Sequence, residues 1–379
     1  MNETTDLPIR VDHPRRLGTW TIEAQRLDLG PGYKPSLALL PGGELVLVSL
    51  DATGDREAGT WTEVMPLRRS LDGGRTWTEP EVADDVIGRE QWLTCTSAGV
   101  LFSSSHLLER DARNEDGTIH SYLHRSTDGG RTWDRTKLLL TGEARCGEPE
   151  EKWTHTSRNV VELPDGTLLY GVSLSDSAVA WMWRSTDEGV TWDRTRRVAI
   201  PYYGERPYDN FDGFFGEDFT CLTRGGDLIH WIRCGPPSPM YPMEDGRAVP
   251  AGDDGIDRTL VCRSADGGLT WSSLSDFGDY GMHYVRVLRL ADGRLLLTYT
   301  QRSTFQPLGL RALVSHDDGG TWDFSADRIT IEGLTPWGLS QGGGFGNTVQ
   351  LEDGVLLTCY SYRESPEQTR LELVRWRLP

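Results

Sequence analysis

The chain is short of positive charge. Its 379 residues carry 39 Lys and Arg against 57 Asp and Glu, a formal net charge of −18 at neutral pH. Nucleic acid and anionic membranes repel such a chain, so neither is expected as a partner. Long apolar runs are missing too, and nothing approaches the roughly 20 residues of a membrane-spanning helix. The opening segment MNETTDLPIRVDHP has no apolar signal core, from which a cytoplasmic location is expected. The six cysteines show no metal-ligand spacing, and Cys221, Cys262 and Cys359 fall within strand patterns. They read as reduced, mostly buried thiols, and neither a metal nor a cofactor is expected. With no long helical pattern and no linker, residues 1–379 are read as a single domain.

What the chain has in abundance is a repeat. Ser-x-Asp-x-Gly-x-Thr-Trp begins at Ser70, Ser126, Ser185, Ser264 and Ser315, each copy one supersecondary unit from the next. Its chemistry is that of a tight corner between antiparallel strands. Ser and Asp side chains bond nearby backbone N–H groups, Gly supplies positive φ, and Trp offers a large apolar plate to the neighbouring unit. A second repeat precedes each box, a Gly-containing turn followed by a β-rich apolar run, as in ELPDGTLLYGVS (162–173) and RLADGRLLLTYT (289–300). Six such hairpins accompany five boxes. The chain ends on one more strand, LELVRWRL, and Gly18-Thr19-Trp20 near the start matches the tail of a box. Residues 18–29 are therefore expected to close the ring. The fold class predicted is all-β, a six-bladed propeller of four-stranded blades at about 33–84, 92–141, 155–200, 217–276, 283–331 and 345–378 plus 18–29.

The two faces of such a ring differ. The hairpin turns and the boxes share one face, and all are tight. The other face receives the long segments 141–155, 200–216, 234–257, 276–283 and 332–345, and long loops on a rigid scaffold are where binding and catalysis concentrate. Starts of first strands and ends of second strands surround the channel mouth there. They supply Lys34, Asp51, Trp92, His106, His155, Arg158, Glu217, Arg233, His283, Arg302, Phe345, Asn347 and Arg363. So many cations on an acidic chain read as a pocket for an anionic ligand. Trp153 and Trp337, in adjoining crossovers, suit stacking on sugar rings.

Boxes, blades and hairpins together resemble the sialidase (neuraminidase) superfamily over residues 18–378. The resemblance implies a carbohydrate substrate held by three arginines, a tyrosine nucleophile paired with a glutamate, and an acid/base aspartate on a loop. Glu217 and Arg233, in GEDFTCLTRGGDLIHWIR, match the family's glutamate and second arginine. The acid is implied in DATGDREAGTW, at Asp55 or Glu57, and a third arginine at Arg302 or Arg311. Two positions depart: Lys34 stands for the first arginine, and GFGNT at the start of blade six holds no tyrosine, leaving Tyr284, Tyr362 or another rim tyrosine as substitutes. The leading expectation is a glycoside hydrolase acting on a terminal acidic sugar, sialic-acid-like or uronic. In it Glu217 is base or nucleophile, Asp55 or Glu57 the acid, and Arg158, Arg233 and Arg302 hold the carboxylate. A uronate lyase using His155, His283 or Tyr284, and a non-catalytic glycan- or protein-binding propeller, are the alternatives.

Overall fold

The computed structural model describes residues 4–6, 9–12, 25–115, 120–137, 154–174, 180–201, 214–234, 240–242, 248–250, 257–278, 281–302, 309–322, 324, 328–332, 344–365 and 368–378. These form six antiparallel sheets arranged as the blades of a propeller, together with one small two-stranded ribbon.

Blade one, from the channel outward, is Tyr33–Leu39, Leu45–Thr53, Pro66–Ser70 and Glu81–Val82. Blade two is Arg89–Cys95, Leu101–Leu107, His120–Ser126 and Asp134–Lys137. Blade three opens on the split pair Thr154–Thr156 and Val161–Glu162, followed by Leu168–Leu174, Ala180–Ser185 and Arg197–Val198. Blade four is Asp218–Leu222, Leu228–Cys234, Arg258–Ser264 and Ser275–Phe277. Blade five is Met282–Arg289, Leu295–Gln301, Gly309–Ser315 and Arg328–Glu332. Blade six is Thr348–Gln350, Leu356–Ser365 and Gln368–Trp376, and its outer strand Gln25–Pro31 comes from the other end of the chain.

That pairing lies later than the segment 18–29 expected from the sequence, whose first seven residues fall outside the described residues. Two further strands were not legible in the sequence. Thr4–Asp6 adds a fifth strand to blade six, and Ile9–Asp12 adds one to blade five.

Apolar side chains gather between blades rather than within them. Among the described residues six main clusters form, one at each junction, such as Phe102 with Tyr170 and Trp183 between blades two and three. The box tryptophans sit in or against these clusters: Trp133 beside Leu67, Trp192 against Phe102 and Trp271 beside Met182. Burying one such ring contributes roughly 4–6 kcal/mol of gross transfer energy, at about 25 cal/mol per Å² over its ~150–250 Å².

The boxes are built alike. In the third, the Thr191 N–H and the Ser185 hydroxyl both donate to Asp187 Oδ1, at 2.9 and 2.8 Å, and the Thr191 hydroxyl donates to Oδ2 at 2.6 Å. Those bonds hold the Asp187 carboxyl down at about 2. The glycine at the fifth position of the box has positive φ and lies against the preceding blade: a Cβ on Gly189 (φ +81°) would stand 2.4 Å from Phe102, and one on Gly268 (φ +86°) 2.6 Å from Met182.

An arginine just before the box completes the staple. Arg69, Arg125 and Arg184 donate to backbone carbonyls of Gly129, Glu188 and Gly267 in the next blade's box, each at 2.8 Å. Arg263 reaches Gly319, and Arg375 of blade six reaches Gly73 of blade one. Blade five has Val314 at this position, and blade six, which follows it, has no box to receive an arginine.

Candidate active site

The mouth opposite the boxes is built by a local irregularity of the innermost strands. The ladder between the first two strands shifts register around Lys34, around Glu90 and around Tyr284. Lys34, Glu90, Tyr284 and Phe345 take φ of +44°, +61°, +54° and +58°. Left-handed backbone at non-glycine residues is costly, and bulges of this kind re-aim side chains. Here they turn four side chains from blades one, two, five and six toward one point. A glycine of positive φ precedes three of them, at Gly32, Gly88 and Gly344.

At that point stands Glu217, the residue before the first strand of blade four. Arg158 Nη2 donates to its Oε1 at 2.9 Å, the Tyr284 hydroxyl to the same oxygen at 2.8 Å, and Arg233 to Oε2. Lys34 Nζ lies 3.8 Å away. Glu90 is the second carboxylate. It receives Lys34 Nζ at 2.5 Å and Arg158 Nη2 at 2.6 Å, with Arg89 Nε at 3.3 Å. One guanidinium nitrogen thus touches both glutamates, which brings their oxygens within two hydrogen-bond lengths of each other.

Burial works to raise the Glu217 carboxyl, but Arg233, Lys34 and Arg158 outweigh it and hold the group well below the usual carboxylate range. Glu90 is likewise held down, by Lys34, Arg158 and Arg89 against burial. Burial, and then the Glu217 charge, push the Tyr284 hydroxyl well above its ordinary value.

The charges continue around the rim. Arg233 pairs with Asp257 at 2.6 Å, and His283 lies 3.9 Å behind that aspartate. On the other side Arg89 stands 3.7 Å from Glu63, a buried carboxyl that desolvation raises and Arg89 lowers, with a net rise. Arg302 lies over the Phe345 ring at 4.7 Å, and the Phe345 and Tyr284 rings meet edge to face at 4.3 Å.

Of the residues expected from sequence, the fold gathers Lys34, Arg158, Glu217, Arg233, His283, Tyr284 and Arg302 at the mouth. His155 is buried beside His106, their rings 6.3 Å apart. Arg311 is buried one strand further out, in the third strand of blade five. Asp51 is exposed and caps the N–H of Ala52. Asp55 is exposed and accepts from the N–H groups of Glu57 and Ala58, so its carboxylate closes its own loop, on which Glu57 is also exposed. Arg363 lies on the second strand of blade six, with its side chain outside the described residues, as are Trp153 and Trp337. Asn347 does not face the mouth. Its amide makes two hydrogen bonds with the backbone of Leu37 and brackets blade six to blade one, as Asn159 does with Thr220 between blades three and four.

Glu90, Asp257, Arg89 and Glu63 were missed. Glu90 had a signal: Gly32-Tyr33-Lys34 and Gly88-Arg89-Glu90 stand at equivalent positions before their apolar runs. Among the described residues no group of three His, Cys, Asp or Glu is placed to hold a metal ion.

With fold and mouth defined, the class is that of repeat-built propellers. Residues 110–335 match the BNR repeat-like domain family, and the chain belongs to it. Among solved structures, a Dyadobacter fermentans protein of unknown function superposes with a TM-score of 0.65 at 21% identity, covering 99% of both chains. The α-L-arabinofuranosidase Arb93a of Fusarium graminearum gives 0.60 at 13% identity, over 98% of this chain and 97% of its own. The NanB sialidase of Streptococcus pneumoniae gives 0.61 at 13%, over 93% and 69%. In sequence, a Paenibacillus xyloglucanase is 29% identical over 179 residues, 46% of this chain, which spans 15% of that protein's length. The fold is thus that of sialidase-like and other glycosidase propellers.

Proposed function

We propose that the chain is a glycoside hydrolase acting at the end of a glycan, with Glu217 as its nucleophile. The observation that carries this is the pair of glutamates, Glu217 and Glu90, gripped by one guanidinium at a channel mouth. A carboxylate held ionised suits attack on, or stabilisation of, an oxocarbenium-like centre.

The sialidase resemblance puts the proton donor within residues 51–61 of blade one, and we assign it instead to Glu63, two residues beyond that segment. Glu63 fits the role better than Asp55 or Glu57. It is buried, it is raised above the ordinary glutamate value, and Arg89 connects it to Glu90. A donor must keep its proton at the working pH, which neither Glu217 nor Glu90 does.

For the substrate, charge balance decides. Lys34, Arg158 and Arg233 each already face a glutamate or aspartate, so an acidic sugar has to compete with carboxylates of the protein for them. That favours a neutral terminal sugar over the acidic one expected from the sequence, in keeping with the arabinofuranosidase and xyloglucanase among the similar proteins. One observation favours the acidic alternative: the Tyr284–Glu217 hydrogen bond is the tyrosine–glutamate couple that the sialidase resemblance implies, supplied from blade five instead of blade six.

The test is release of aryl alcohol from a panel of 4-nitrophenyl glycosides, α-L-arabinofuranoside and hexopyranosides beside sialic, keto-deoxy and uronic acid glycosides. Turnover of a neutral glycoside that Glu217→Gln abolishes supports the reading. Turnover restricted to acidic glycosides transfers it to the tyrosine–glutamate couple, and a rise in ultraviolet absorbance on uronate polymers without aryl release replaces hydrolysis by elimination.

A further inference from the structure

Beneath the mouth the inner strands enclose a cavity of about 610 Å³ that runs toward the box face, lined by residues such as Leu37, Leu93, Val287 and Val349. Its size is that of a small-molecule site, and its walls are largely apolar, as such sites are. Two arginines line it: Arg289, which is paired with Asp318 at 2.7 Å, and Arg286.

The Arg286 guanidinium is 4% exposed and lies over the Trp92 ring at 3.7 Å, with the Phe219 ring at 5.4 Å. Its Nη1 donates to backbone carbonyls of Val285 and Asp218, at 2.6 and 3.3 Å. Its Nε has no hydrogen-bond partner, and among the described residues no carboxylate lies within ion-pair distance of it. The nearest acid by charge, Asp218, is buried, tied to Gly216 N–H and the Ser157 hydroxyl, and raised to about 7 mainly by that burial. It supplies an incomplete counter-charge. A buried cation without an anion is expensive, and arginine does not escape the cost by losing its proton at neutral pH. Burial, then Arg158 nearby, lowers Arg286 only to about 9.

We propose that this channel is a second binding site, distinct from the mouth, that takes a small organic carboxylate with its anionic end on Arg286 and its apolar body along the strands toward the box face. The Nε and the outer edge of the guanidinium offer the planar donor set a carboxylate fits. Trp92 fixes the plane of that donor set, and the apolar walls exclude water from the pair. The site does not depend on the reaction assigned to the mouth.

The experiment uses calorimetric titration of the whole chain with hexanoate, beside hexanol and chloride. Hexanoate is expected to bind, hexanol to bind at least tenfold more weakly, and Arg286→Met to lose hexanoate, while Glu217→Gln retains it. Since Arg286→Met removes a buried cation and has its own effect on folding, a crystal of the unaltered protein soaked in 6-bromohexanoate gives the second reading. An anomalous bromine peak within the channel is the result expected. A peak confined to the mouth, binding abolished by Glu217→Gln, chloride binding with no hexanoate binding, or no heat with any probe would each overturn the proposal.

Discussion

The two faces of this propeller use the same residue types to opposite ends. On the box face, aspartates are repeated five times, exposed in four boxes and half-buried at Asp72, and spent on hydrogen bonds within their own turns. On the mouth face the carboxylates follow no repeat. Glu63, Glu90, Glu217 and Asp257 come from blades one, two and four, are largely buried, and are tied to cations from other strands. A repeated carboxylate is held low by neighbours a few residues away, whereas a mouth carboxylate is set by charges brought from distant parts of the chain. Local satisfaction gives a staple. A charge network assembled across blades, with strained backbone at four of its members, gives a site in which protonation can be tuned.

Substitutions on each face sharpen that contrast. After Glu217→Gln, the largest change is expected from Glu63→Gln, with a loss of roughly 10²–10³ in kcat for sugars with alkyl leaving groups and much less for 4-nitrophenyl ones, which need little protonation. Because Glu63 is raised and Glu217 lowered, activity needs Glu63 protonated and Glu217 ionised. The rate is therefore expected to fall as pH rises through a value above the ordinary glutamate range, and the variant loses that basic limb.

On the box face Gly189→Ala combines positive φ with a Cβ 2.4 Å from Phe102, and about 3 kcal/mol of stability is expected to go, read by denaturant unfolding, with turnover per folded molecule unchanged. Asp128→Ala removes the acceptor of bonds from Ser126, Arg131 and Thr132, an expected ~2 kcal/mol. The smallest effect is Arg125→Met, which deletes one clamp onto Glu188 and is expected to cost about 1 kcal/mol. If any of these three box-face variants changed kcat while the fold held, the division between the faces would fail.

The propeller was legible because its signals are local and repeat: Ser-x-Asp-x-Gly-x-Thr-Trp carries its own hydrogen-bond plan within eight residues. The site was legible only in part. Arg158, Glu217 and Arg233 follow from counting along strands, but a bulge defeats counting, since one extra residue exchanges the faces of everything beyond it. Trp92 was expected at the mouth and lies against Arg286, while Glu90, two residues earlier, takes the place at the mouth. Tyr284 reaches Glu217 for the same reason. Asp257 lies just before its strand, and Glu63 sits in a strand, Thr62–Val64, too short to show a periodicity. The strands Thr4–Asp6 and Ile9–Asp12 are too short to carry a pattern.

The most direct test compares Glu217→Gln with Asp128→Ala on the glycoside the unaltered protein hydrolyses, with turnover normalised to folded protein well below either melting point. The predicted result is a fall of roughly 10³-fold or more for Glu217→Gln and a value within twofold of the unaltered protein for Asp128→Ala, which melts earlier. Turnover retained by Glu217→Gln, or lost equally by both, would contradict the assignment of chemistry to the mouth and of stapling to the boxes.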